Sequence, residues 1–120
     1  MRGAVCLLAF LLALTISGLC SAQEEGRIGR TAAQFIATYK AAPPSIQEMA
    51  NYVLAGAESG FSYYLEESKV KLYCRPADVT LTGAQDFDVL AKEVDSDPNL
   101  GKKPWVLALL EALQKTFPCK

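Results

Sequence analysis

Residues 104–120 read PWVLALLEALQKTFPCK. Pro104 stands where a helix begins, a place that tolerates its missing amide donor. Val106, Leu109, Leu110, Leu113 and Phe117 recur at three- and four-residue spacings, which makes a broad apolar stripe, while Glu111, Gln114 and Lys115 fall on the side facing water. Pro118 stops the helix, and Cys119 follows it directly. A helix that closes on a cysteine raises the question of what that cysteine pairs with.

The N-terminal residues bear on the answer. The chain opens MRGAVCLLAFLLALTISGLCSAQEE, with Arg2 ahead of an apolar run from Ala4 to Leu19 and small residues at Cys20-Ser21-Ala22 before Gln23. That is the layout of a secretory signal peptide over residues 1–22, leaving a domain over 23–120. The apolar run falls short of the roughly 20 residues a spanning helix needs, so a stable membrane anchor after cleavage is not expected. The expected compartment is the periplasm. Export would remove Cys6 and Cys20 and leave Cys74 and Cys119 in an oxidising space. A disulfide between them is favoured over a reactive thiol or a metal ligand, because neither cysteine has a second ligand at short spacing. A domain of under 100 residues has a thin core and benefits from such a staple.

Four helices emerge on either side of an extended connector. Thr31 with Gln34 and Thr82 with Gln85 form capping-box pairs, and Ser45 with Glu48 reads as a third helix start. Gln23 to Arg30 reads as a polar N-terminal arm. In the second helix, Ile46, Met49, Val53, Ala57, Phe61 and Tyr64 form one stripe expected to face the core. Gly56 and Gly60 share a face there, which predicts close approach of another backbone, first of all inside the domain, otherwise across a dimer seam or a ligand contact. Ser68 to Cys74 alternates but has no partner strand, and Arg75 to Asp78 is a turn. Phe87, Leu90, Ala91 and Val94 line the third helix, which ends over Asp95–Asn99. The fold class expected is a small all-α, four-helix domain with one disulfide and a short extended connector.

Composition excludes several functions. With no histidine in the chain, histidine triads and histidine-rich metal sites are out. Removing Arg2 from the 12 basic residues leaves 11 against 13 acidic ones, and no basic run exceeds Lys102-Lys103, so nucleic-acid binding is not expected. The carboxylate pairs Glu66-Glu67 and Asp86 with Asp88 read as solvated faces rather than an acid–base couple. No catalytic residue, metal or cofactor is assigned, and the chain is expected not to be an enzyme. Phe61, Tyr63 and Tyr64 group near Tyr73, most of them expected in the core, and Trp105 stands half exposed where a loop meets the last helix.

Tyr52-x-x-x-Gly56, then Cys74-Arg75-Pro76 with Val79-Thr80, then Asp97-Pro98 and finally Phe117-Pro118-Cys119 together resemble the Rap/Tai family of type VI secretion immunity proteins. The resemblance covers about Tyr52 to Cys119. It implies an exported, all-helical periplasmic protein that binds a peptidoglycan amidase effector and blocks its active site with a loop between helices; some members are homodimers. Unlike many members, the chain carries no cysteine between Gln23 and Ala57, and Met49 stands about where one would be. The corresponding loop here runs from Asp95 to Lys103. Asp95, Asp97, Asn99, Lys102 and Lys103 are its expected polar contacts and Trp105 its anchor, and the disulfide is expected to leave this loop held at both ends. Two other readings fit a small helical protein with one disulfide: an acid-stress chaperone of the HdeA type, and a carrier of a small apolar ligand.

Overall fold

The computed structural model describes residues 30–120. The signal peptide expected over 1–22, and the expected arm as far as residue 29, lie outside the described residues. The unit Thr31–Lys120 is an all-α domain with one disulfide. Its four helices are α1 (Ala32–Ala41), α2 (Pro44–Ser68), α3 (Gly83–Ser96) and α4 (Trp105–Thr116), with a 3-10 turn at Leu100–Lys102 between the last two.

Two helix starts follow from local chemistry alone. Thr31 Oγ1 accepts from Gln34 N at 3.3 Å while Gln34 Oε1 accepts from Thr31 N at 3.1 Å. Thr82 and Gln85 repeat the arrangement at 3.3 and 2.8 Å. Each pair satisfies amides that a helix end leaves free. The start expected at Ser45 is different. The helix begins one residue earlier, at Pro44, with Pro43 as its cap and no side-chain hydrogen bond. A proline in the first turn has no amide to satisfy, so the cap is dispensable. At its other end α2 closes on Lys69, which adopts φ 57°, and the chain leaves in an extended connector with no strand among the described residues.

Leu54, Leu90, Leu100, Leu109 and Leu113 are fully buried and form the centre of the core. Tyr39 of α1 stacks on Phe87 of α3 with ring centroids 3.7 Å apart and donates its hydroxyl to Asn51 of α2 at 2.9 Å, joining three helices at one point. The expected stripes on α3 and α4 pack as read except at Val106, which is half-buried and does not join the core cluster, and Ala108 and Ala112 are added to the buried set.

On α2 the expected stripe splits. Ala57 and Phe61 pack against the core, but Ile46, Met49, Val53 and Tyr64 are exposed. The face that turns inward runs through Leu54, Glu58, Phe61 and Leu65. α2 is apolar on two sides, and α1, α3 and α4 cover only one. The two glycines are also not where backbones meet: a Cβ on Gly56 or Gly60 would have nothing within 4 Å. The close approach is at Gly83, the first residue of α3, where a Cβ would overlap the Asn51 carbonyl and come within 2.7 Å of Asn51 Cα. Backbone cannot yield as a flexible side chain does. Gly83→Ala is therefore expected to push α3 off α2 and lose about 2 kcal/mol, as overpacking does; urea unfolding checks this, and a loss within error would mean that the contact is slack.

Candidate interaction site

The segment from Asp95 to Trp105 is a stiff corner rather than a loose loop. Asp97 caps α3 by donating its own amide to Glu93 O at 2.9 Å. Its Oδ1 accepts from Asn99 N at 3.1 Å and its Oδ2 from Lys115 Nζ on α4 at 3.3 Å. The Lys115 contact, and after it the Asn99 amide, hold the Asp97 carboxyl below the usual carboxylate range. Asn99 Oδ1 in turn accepts from Lys102 Nζ at 3.1 Å. Three expected contact residues thus form one connected chain.

Below them, Leu100 and Gly101 are buried, and a Cβ on Gly101 would stand 3.1 Å from Val94 and 3.4 Å from Ala33. Lys103 reaches both carboxylate oxygens of Glu111 at 2.6 and 2.7 Å. Its carbonyl accepts from Ala32 N at 2.9 Å, next to a bridge between Thr31 and Pro104. Trp105 stacks on Phe35 of α1 at 4.9 Å and 17°, half-buried, so it anchors the corner to the domain. Asp95, Lys102 and Lys103 stay exposed, with two charge signs offered side by side. The side chains of Asp97, Asn99, Lys102 and Lys103 are committed among themselves and to α4, which lowers the entropy a partner must remove on binding.

The disulfide does not hold this corner. Cys74 and Cys119 are bonded, with Cα atoms 4.8 Å apart, and Cys74 N donates to Phe117 O at 2.8 Å. That places the staple at the C-terminal end of α4, whereas the corner leads into its N-terminal end at Trp105. The corner is fixed instead by α1 and by the Lys115 and Glu111 ion pairs.

Beside the staple lies a polar cluster that the sequence reading missed. Glu58 of α2 is 5% exposed. Its Oε1 accepts from Ser62 Oγ at 3.0 Å and from Tyr73 Oη at 3.3 Å, and it pairs with Arg75 Nη1 at 3.1 Å. Tyr73 is buried, which with the neighbouring Glu58 raises its phenol above the ordinary value despite the Ser62 bond. Asp86, expected on a solvated face, is 0% exposed, and both its carboxylate oxygens are without a hydrogen-bond partner. Burial first, then the charge of Glu58, pushes its carboxyl up to about 7, with Arg75 pulling weakly the other way. The signal was in the spacing. Glu58 stands four residues after Leu54 and three before Phe61, and Asp86 adjoins Phe87 and precedes Leu90 by four, so each rides a buried stripe. Glu66, Glu67 and Asp88 are exposed as expected.

The cluster borders an open groove of about 330 Å³ lined in part by Ser62, Lys71, Tyr73 and Arg75. Asp86 is not among the residues that line it. Among the described residues no group of three candidate metal ligands occurs, and no helix is long and apolar enough to cross a membrane. No protein-family model, curated protein or solved structure matches this chain.

Proposed function

We propose that the chain is an exported immunity-type binding protein that inhibits a peptidoglycan amidase effector of a type VI secretion system by occluding its active site. The observation that carries the reading is the corner from Asp95 to Trp105: a polar segment, stiffened from within, set between two apolar helices. A rigid element of mixed charge suits a groove better than a mobile loop does, since its ordering cost is already met by the fold. The motif pair Cys74-Arg75-Pro76 and Phe117-Pro118-Cys119, on which the Rap/Tai resemblance rests, supports the same reading, and its two cysteines are joined by the disulfide.

Two experiments separate the parts of this proposal. Capture of a secreted amidase from the same genome by the protein tests the function; failure of every such amidase to bind sinks it. Reversing exposed charges with Asp95→Lys and Lys102→Glu tests the corner. Affinity is expected to fall about tenfold, or about 1.4 kcal/mol, with the melting temperature nearly unchanged. Unchanged affinity would move the contact elsewhere. The acid-chaperone alternative needs a fold that loosens near pH 2–3, and Asp86 works in the opposite sense, since its protonation removes a buried charge.

A further inference from the structure

The connector leaves α2 through Lys69, whose left-handed backbone turns the chain back beside the helix it has just left. Val70, Lys71 and Tyr73 then share a groove of about 330 Å³ with Ser62, Leu65 and Glu66 of α2, and Cys74 and Arg75 complete its wall. The charges of the corner are spent on one another, but those of the groove are not. Lys71 and Glu66 are exposed, and among the described residues neither makes a hydrogen bond or an ion pair. Arg75 meets Glu58 through Nη1 at 3.1 Å, and Nη1 makes no hydrogen bond. A guanidinium carries five donors in a fork that matches a carboxylate, so Arg75 has capacity to spare. The two hydroxyls are set the other way. Ser62 Oγ and Tyr73 Oη, 3.2 Å apart, both donate to Glu58 Oε1. With its one proton committed to that carboxylate, each presents only lone pairs to the groove.

We propose that this groove binds a short zwitterionic peptide, with its carboxylate on Lys71 and Arg75 and its amino end on Glu66 and the Ser62 and Tyr73 oxygens. The donor and acceptor inventory selects the class. A simple anion would use Lys71 and Arg75 and leave the acceptors facing nothing, while an amine would leave the two cations unanswered. Only a ligand with both groups satisfies the whole wall, and polar groups left unpaired on binding are costly. Leu65 and Val70 give apolar contact to small side chains between the two ends. The volume stands at the low end for ligand pockets, roughly 300–1,000 Å³, which suits two or three small residues. The wall is fixed before any ligand arrives: Glu58 and Tyr73 are buried, and the disulfide holds Cys74 between Tyr73 and Arg75. Such preorganisation lowers the cost of binding. None of these residues belongs to the corner, so the site holds whether or not the immunity reading does.

Amide chemical shifts of the disulfide-bonded protein, titrated with dialanine, test the site. Dialanine is expected to shift Ser62, Lys71 and Tyr73 together, with a dissociation constant of about 1 mM or below. Dialanine amide, which lacks the carboxylate, and acetyl-dialanine, which lacks the ammonium, should each bind about tenfold more weakly. Lys71→Gln and Glu66→Gln alter exposed side chains and leave the buried cluster in place. Lys71→Gln should weaken dialanine about tenfold and leave dialanine amide almost unaffected. Glu66→Gln should weaken dialanine but not acetyl-dialanine. No shift at about 20 mM dialanine overturns the proposal. The same shifts from sodium acetate at equal strength overturn the peptide class and leave a plain anion site. Equal binding of dialanine and its amide, or full affinity in Lys71→Gln, overturns the placing of the carboxylate.

Discussion

Replacing both Cys74 and Cys119 with alanine is expected to cost about 4 kcal/mol, the chain-entropy value for a closed loop spanning a sequence separation of 45. A domain of this size has about 5–15 kcal/mol in total, so the loss would remove a large part of its stability. The expectation does not rest on loop entropy alone. The connector between α2 and α3 has no strand or helix of its own, and the staple with the Cys74–Phe117 hydrogen bond fixes its middle. Tyr73 and Arg75, on either side of Cys74, are the residues that reach Glu58. Freeing the connector therefore also loosens the partners of a buried carboxylate, and a buried polar group that loses its partners is costly. Urea unfolding of the variant, and of the native chain with and without reductant, reads the loss. A change below about 1 kcal/mol would show that the reduced connector stays in place by packing alone, against the loop-entropy account.

Stability is expected to fall as the pH is raised from about 4 to about 7, and Asp86 is the cause. Its carboxyl titrates near 7 in the fold, against an ordinary value of 3.8. Between those values the folded chain holds a proton that the unfolded chain has released, so folding weakens as pH rises through the window and levels off above it. A displacement of that size corresponds to up to about 4 kcal/mol at 1.36 kcal/mol per pH unit. Asp86→Asn keeps the shape and removes the titration. Its stability should be flat over the window and exceed that of the native chain at pH 8. Parallel pH profiles for the two proteins would sink the assignment. Asp97 has the opposite sign: its lowered carboxyl contributes stability above its unfolded value that is lost at lower pH, so it does not mask the window.

What was legible in the sequence was mostly local. The two threonine–glutamine capping boxes fix helix starts with atoms three residues apart, and proline and cysteine at 118–119 fix the end of α4. The stripe on α2 failed for a physical reason. Periodicity reports which residues share a face, not which face meets a neighbour, and α2 is apolar on two sides while α1, α3 and α4 cover only one. For the same reason Gly56 and Gly60 drew notice while Gly83, hidden as the first residue of a helix, proved to be the one against backbone. The corner residues were found by composition, but their partners were not. Glu111 lies 8 residues from Lys103 and Lys115 lies 18 from Asp97, and only the packing of α4 beside the corner brings them together. Asp86 was read as solvated because an acid in a first helical turn is usually there for the dipole; the turn here faces Glu58 and the core.

The bridge between Thr31 and Pro104 has a practical geometry to it. Thr31 meets Pro104 beside the corner proposed as the binding surface, while Lys120 follows Cys119 next to the staple. An affinity handle or a surface attachment placed just before Thr31 would crowd the corner and depress apparent binding. One placed after Lys120 would present the corner outward, which makes the C-terminus the end to tether in any binding measurement.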